Sequence, residues 1–359
     1  MINKVGIIGL GVIGASLGMA LRNSRPGILV AGRDLDQESI APAIEQGAID
    51  RFLDQQLLEE CDLVIIATPL KSMPGVVQEI KDHIKSGAIV SDVGSVKSWV
   101  MQLLAQEIPA GVHIIGGHPM AGSEKSGLRA ADKFLLQNAA YILTPQLNTA
   151  VEPVAELHEL LATIGARVVI MNAPEHDQMV ARVSHLPHLM SAALVNNLLA
   201  KPETLALAGG GLRDSTRTAA SDPDLWKDIL MLNAEAIVPE LESMQRLLQN
   251  YLLALQGADG ARIRGDLQTA RDLRKSLPSL RPCLEDACDL IAIIPDQPGV
   301  IGTLGTLLGQ ADINIQNMEL LNVRDEDEGS IKITVKREQA AAACHLLKNQ
   351  GFPAWLQEK

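Results

Sequence analysis

A short apolar run, Val5 to Ile8, gives way to Gly9, Gly11 and Gly14 in the spacing G-x-G-x-x-G, and a helical stretch, VIGASLGMALR, follows. A strand, a tight turn and a helix in this order use each glycine differently. The first permits the turn, the second lets a pyrophosphate approach the backbone, and the third lets helix and strand pack closely. The helix N-terminus then offers unpaired N–H groups and a partial positive charge to an anion. Val12 and Ile13, at the start of that helix, belong to the same cradle. A second strand, ILVAGRD, ends in Asp34, about 20 residues on, where a carboxylate meets the ribose hydroxyls of a dinucleotide. A solvated acid at a strand end is the plain alternative for Asp34. A carboxylate there repels a 2′-phosphate and favours NAD over NADP. Arg33 beside it is able to accept such a phosphate, so the two readings stand together.

Further apolar runs read as strands at 61–69, 88–95, 112–117, 139–145 and 166–171, with helical stretches between several of them. Near-continuous apolar strands alternating with helices predict a parallel sheet covered on both faces. Ligands of such sheets bind beyond the carboxyl ends of the strands. Several of those ends carry polar groups: Thr68-Pro69, the segment DVGSVK that holds Ser95, and His118-Pro119. The segment GGHPMAGSEKSG, 116–127, gathers His118, Ser123, Glu124 and Lys125 where a mere turn needs none of them.

With 359 residues, 47% of them hydrophobic, the chain is long enough for two or three domains. The net charge of −12 disfavours general binding to nucleic acid or to an anionic membrane, which need a positive field. Only 2% of residues are aromatic, too few for stacking on single-stranded nucleic acid. The four cysteines, Cys61, Cys283, Cys288 and Cys344, lack a metal-ligand spacing, so reduced thiols and no metal are expected. No apolar stretch approaches the ~20 residues of a membrane span. The sequence enters a strand at once, so no signal peptide and a cytoplasmic location are expected.

From residue 173 the alternation stops. HDQMVARVSHLPHLMSAALVNNLLA reads as a helix interrupted at Pro187, with His185 and His188 on one face. Polar packing near a kink and a ligand role fit those two histidines equally. After Gly209–Gly211, Arg213 and Arg217 stand four apart and are suited to clamp carboxylates. Beyond Trp226, Ile237, Leu241, Met244, Leu248, Tyr251, Leu252 and Leu255 repeat at helical spacing, as core or as the interface of a homodimer. The Pro-rich, charged segment KSLPSLRPCLEDA reads as a linker. The remainder reads β-α-β-β-α-β, the ferredoxin-like α+β arrangement. In it, Asp296, Gly299 and Val300 at a helix start, facing Asn314 and Ile315, are candidates to hold a small zwitterion. The expected domains are therefore 1–172, of Rossmann type; 173–280, all helical; and 288–359.

GLGVIG, DVGSVK, GGHPMAGSEKSG, VSHLPH and GGGLRDSTR with SDPDLW, in this order, resemble the prephenate dehydrogenases of tyrosine biosynthesis over roughly 1–280. DQPG and INIQN resemble an ACT domain, an amino-acid-binding regulatory module. The resemblance implies NAD-dependent oxidation and decarboxylation of prephenate to 4-hydroxyphenylpyruvate, with tyrosine as a feedback inhibitor. It implies His118 as the group that takes the hydroxyl proton and Ser95 as the residue that orients His118. It implies Arg217, Arg213, Glu124, His185 and Trp226 around the substrate. Three alternatives stand beside it: arogenate as substrate, another NAD-dependent hydroxy-acid dehydrogenase, and an NAD sensor without turnover.

Overall fold

The computed structural model describes residues 1–121, 127–276, 287–323 and 328–357. It divides into two compact units, Met1–Lys275 and Ser276–Lys359.

The first unit opens with β1 (Lys4–Ile8), α1 (Val12–Ser24), β2 (Leu29–Arg33), α2 (Ile40–Glu45), β3 (Arg51–Phe52) and α3 (Gln55–Leu58). Next come β4 (Leu63–Ile66), α4 (Met73–Ile80), β5 (Ile89–Asp92), α5 (Lys97–Glu107) and β6 (His113–Pro119). β7 (Ala140–Pro145), α6 (Val151–Thr163) and β8 (Arg167–Ile170) complete a single eight-stranded sheet in the order β3-β2-β1-β4-β5-β6-β7-β8. Its central strands alternate between two cores. Ile7, Leu63 and Ile65 join the cluster that holds Leu17 and Leu21 of α1 and Leu160 of α6. Ile8, Val64, Ile66 and Val90 join Val77 of α4 and Leu104 of α5 on the other face. Both faces of each central strand are therefore apolar, which is why the runs look continuous in the sequence.

The expectation of a wholly parallel sheet needs one correction. β6 and β7 pair antiparallel, from Ile115↔Pro145 to Pro119↔Tyr141. A parallel pairing needs a crossover long enough to carry the chain back to the starting end of the sheet. Between β6 and β7 the described residues provide only a single 3-10 turn, Leu128–Ala130, so the chain re-enters from the end at which it left. α6 then supplies a crossover, and β8 lies parallel to β7.

Helices complete this unit: α7 (Ala173–Val180), α8 (Leu186–Asn197), α9 (Gly210–Thr216), α10 (Pro223–Leu232), α11 (Ala234–Gln256) and α12 (Gly260–Ser276). The predicted interruption near Pro187 takes a specific form. A π-helical turn, Ala181–His185, separates α7 from α8, and Pro187 falls in the first turn of α8. Proline has no N–H to return to the preceding turn, and the ladder widens just before it. The apolar stripe of α11 is mostly open: Ile237 is buried, while Leu241, Leu248, Leu252 and Leu255 are exposed. Among the described residues no helix is long and apolar enough to cross a membrane.

The second unit runs β9 (Ala287–Pro295), α13 (Val300–Gln310), β10 (Asn317–Val323), β11 (Glu328–Lys336), α14 (Arg337–Asn349) and β12 (Ala354–Leu356). Its four antiparallel strands lie in the order β10-β11-β9-β12. Leu290, Ala292, Ile331 and Ile333 of the sheet and Leu304, Leu308, Ala343 and Leu347 of the helices form its core.

Candidate active site

The carboxyl ends of β1, β4, β5 and β6, four neighbouring strands, place Gly9, Thr68, Ser95 and His118 along one edge of the sheet. At the β1 end, Gly9 has φ +99°, a conformation that favours glycine, and a Cβ on Gly14 would lie 2.0 Å from the Gly9 carbonyl oxygen. The turn and the close helix both depend on missing side chains. A Cβ on Gly11 would meet nothing within 4 Å. That space opens on a cleft of about 340 Å³ lined by Gly9, Gly11, Asp34, Thr68 and Pro69 among others.

Asp34 is tied into this cleft. Its Oδ2 accepts the Leu10 N–H at 2.6 Å and its Oδ1 the Asp36 N–H at 3.0 Å. A carboxylate has about four acceptor positions, so two remain for ribose hydroxyls. Thr68 Oγ1 and Arg33 Nη2 are buried with no hydrogen-bond partner among the described residues. Buried polar atoms are normally paired, and two orphans in one cleft fit a polar ligand there. Arg33 Nη1 lies 3.1 Å from Glu79, so part of its charge is already answered.

At the β6 end the strand is held by side chains. The β5–β6 ladder stops at Val90↔Ile114. Beyond it, Asp92 Oδ1 accepts the Gly117 N–H at 3.1 Å and Oδ2 accepts the Gly94 N–H at 2.7 Å. Lys97 Nζ donates to the Gly117 carbonyl at 2.7 Å and pairs with Asp92. Neither side chain of that pair is exposed. Burial pulls the Lys97 ammonium below its usual value, and the Asp92 charge and hydrogen bond oppose the shift. A Cβ on Gly117 would stand 2.5 Å from the Asp92 carbonyl oxygen, so the strand passes too close for any other residue.

His118 follows, half-buried. Its Nδ1 lies 2.7 Å from Nε2 of His176, and His176 Nδ1 lies 2.8 Å from Oδ1 of Asp177. Asp177 Oδ1 also accepts the Lys97 N–H at 2.7 Å and Oδ2 the Ser98 N–H at 2.8 Å. Burial pushes the Asp177 carboxyl up, but bonds from His176, Ser98 and Lys97 outweigh it and hold it below the usual carboxylate range. Burial holds the His118 imidazole well below its ordinary value, followed by repulsion from His176 when that ring is protonated, from the Lys97 ammonium and from a protonated His185. His118 is therefore neutral near pH 7 and able to take a proton.

Nearby, Asn233 Nδ2 donates to the Asp177 carbonyl at 3.0 Å and to His185 Nδ1 at 3.0 Å. Burial is the main cause that pushes the His185 imidazole down to about 4. Trp226 stacks on His188 with ring centres 3.6 Å apart and meets His185 edge-on at 6.0 Å. His188 Nδ1 is buried without a partner among the described residues.

Several sequence candidates therefore converge, with one correction. His118, His185 and Trp226 lie within one connected network. Ser95 is half-buried between β5 and α5, but among the described residues no hydrogen bond joins it to His118, whose Nδ1 meets His176 instead. Val12 and Ile13 form the first turn of α1 above Gly11. Arg213 in α9 and Arg217 in the 3-10 turn after it are both exposed. Glu124 lies outside the described residues. Asp296, Gly299 (φ +89°), Asn314 and the half-buried Val300 and Ile315 sit at the two ends of α13, all within the second unit. His176, Asp177 and Lys97 are functional candidates that sequence reading missed. The adjacent His-Asp pair after a Pro was their only local signal.

The model of the prephenate dehydrogenase nucleotide-binding domain matches residues 17–170, and that of its dimerization domain matches residues 172–268. A prephenate dehydrogenase of Bacillus subtilis (strain 168) is 34% identical over 342 residues, 92% of each chain. The chain belongs to the prephenate dehydrogenase family. Another family member, the prephenate dehydrogenase of Lactococcus lactis subsp. cremoris, is 34% identical over 94% of each chain. A solved prephenate dehydrogenase from Aquifex aeolicus, in complex with hydroxyphenyl propionate and NAD+, superposes with a TM-score of 0.72. It shares 29% identity and covers 77% of this chain and 99% of its own. A Synechocystis arogenate dehydrogenase gives a TM-score of 0.69 at 29% identity, with 77% and 100% coverage. Membership makes this chain an NAD-dependent oxidoreductase.

Proposed function

We propose that the chain oxidises prephenate with NAD+, releasing CO2 and forming 4-hydroxyphenylpyruvate. The observation that carries this reading is a neutral, oriented histidine, His118, on the same strand-end edge as a dinucleotide cradle. Gly9, Gly11, Val12, Ile13, Gly14, Asp34, Thr68 and Pro69 would hold NAD, which when bound supplies the hydride acceptor. Asp34 on the ribose side and Glu79 on Arg33 favour NAD over NADP.

His118 Nε2 takes the proton of the ring hydroxyl as that carbon becomes a carbonyl. Loss of the ring carboxylate as CO2 sends its electron pair into the ring, and His118 returns the proton to the phenolate oxygen. Aromatisation provides the driving force. Arg217 and Arg213 grip the substrate carboxylates, Ser95 meets the substrate hydroxyl, and His185 and Trp226 line the pocket. The second unit is an ACT-like module that takes tyrosine at Asp296, Gly299, Val300, Asn314 and Ile315 and inhibits turnover. Its β-α-β-β-α-β order supports that reading. The protein is a cytoplasmic homodimer joined through the open apolar face of α11.

The test is NADH formation with prephenate and with arogenate, each with and without tyrosine. Turnover of prephenate, suppressed by tyrosine, is the expected result. Turnover of arogenate alone moves the substrate to the amino analogue, and turnover of neither removes this reading.

A further inference from the structure

His118, His176 and Asp177 stand in a line of hydrogen bonds, and the protons along it can be assigned. Asp177 accepts the backbone N–H groups of Lys97 and Ser98, the first amides of α5. That places its carboxylate at a helix N-terminus, where negative charge is favoured. A carboxylate has no hydrogen to give, so across the 2.8 Å contact His176 Nδ1 donates. A neutral His176 then presents a lone pair at Nε2. Only one proton fits in the 2.7 Å gap to His118 Nδ1, and it must come from His118. His118 is thereby held as the Nδ1–H tautomer with its lone pair at Nε2, the nitrogen with no protein partner among the described residues.

We propose that His176 is a positioning residue that selects the proton-accepting tautomer of His118. The inference rests on the reading of His118 as the base for the substrate hydroxyl. His176 is fully buried, so water does not compete for its Nε2. When His118 takes the substrate proton, the imidazolium already donates to an acceptor whose far side rests on a carboxylate. The device joins remote parts of the chain: His176 lies 58 residues from His118, and Asp177 lies 80 residues from Lys97. The opposite arrangement, a doubly protonated His176, would donate to His118 Nδ1 and place a hydrogen on Nε2, where it blocks proton transfer.

The experiment uses the full chain labelled with 15N-histidine, the His118 signals being assigned by their loss in His118→Asn. Two-bond proton–nitrogen correlations read the tautomer without any turnover. The wild type is expected to show Nδ1 protonated and Nε2 bare. His176→Gln retains an acceptor oxygen and should preserve that pattern; His176→Leu should lose it. With prephenate, His176→Leu should lower kcat by ~10²-fold, with KM within about threefold, and His176→Gln should recover at least part of the loss. A wild-type His118 protonated at Nε2 overturns the proposal. So does an unchanged His118 spectrum in His176→Leu, and so does equal loss of turnover in both variants with the spectrum preserved. Should His176→Leu fail to fold, the wild-type and His176→Gln spectra decide alone. Should the wild type not oxidise prephenate, the substrate reading fails while the spectra still decide the tautomer.

Discussion

Lys97 and Asp92 form an ion pair with neither side chain exposed, and between them they hold both the N–H and the carbonyl of Gly117, the residue before His118. The backbone ladder between β5 and β6 has ended by then, so this pair takes over the work of aligning the strand.

Lys97→Met is therefore expected to cost about 3–5 kcal/mol, because it leaves a buried carboxylate uncompensated and a carbonyl without its donor. Urea unfolding checks this. Asp92→Asn added to Lys97→Met should recover part of the loss. A single variant as stable as the wild type would show that the pair contributes nothing to the fold.

His118→Asn should lower kcat by ~10²-fold or more, the usual contribution of a general base. NAD+ affinity, followed by titration, should hold, because His118 is not among the residues lining the dinucleotide cleft. Near-normal turnover would remove His118 from the mechanism.

The pH dependence follows from the depressed imidazoles. With His118 held well below 6.5 by burial and by neighbouring positive charge, the acid limb of kcat/KM should lie below pH 6.5. His185, pushed down to about 4, binds its proton more readily in the unfolded chain, whose histidines titrate near 6.5. Its contribution is fully present above pH 6.5 and is lost as pH falls toward about 4, on the order of 3 kcal/mol. Unfolding measured from pH 7 to pH 4.5 should show that slope, reduced in His185→Gln. An identical slope in both would sink the assignment.

Gly11 and Gly14 should separate binding from folding. Gly11→Ala meets no atom within 4 Å, so its stability should match the wild type while NAD+ binds at least tenfold more weakly. Gly14→Ala drives a methyl against the Gly9 carbonyl at 2.0 Å and should cost about 1–3 kcal/mol. Thermal unfolding and NAD+ titration of both variants test the pair of outcomes. Unweakened NAD+ binding in Gly11→Ala would place the phosphates elsewhere.

Arg217→Ala should raise the KM for prephenate ~10-fold or more, the scale of one hydrogen bond to a charged group, with a smaller effect on kcat. Steady-state kinetics at saturating NAD+ reads both constants, and an unchanged KM would count against a carboxylate contact.

Local physics made much of this protein legible in its sequence. The glycine spacing after β1 admits few backbones, apolar runs marked the sheet, and polar residues at the ends of those runs marked its ligand edge. His118 and the glycine cradle were visible for that reason. The reversal of β7 was not, because it depends on a crossover that the described residues between β6 and β7 do not supply. Nothing beside Lys97 in GSVK marks it as interior, and only the fold shows it to be fully buried against Asp92. His176 and Asp177 lie in the first turns of α7, behind an Asn172 cap, and nothing local beyond their adjacency sets them apart. Their roles arise from contacts 58 and 80 residues away. Sequence alone thus determined which backbone turns, helix and strands form, because those depend on neighbours a few residues apart. Tertiary structure alone decided which groups lose their water and meet, and that sets the charge and tautomer of the histidine at the centre.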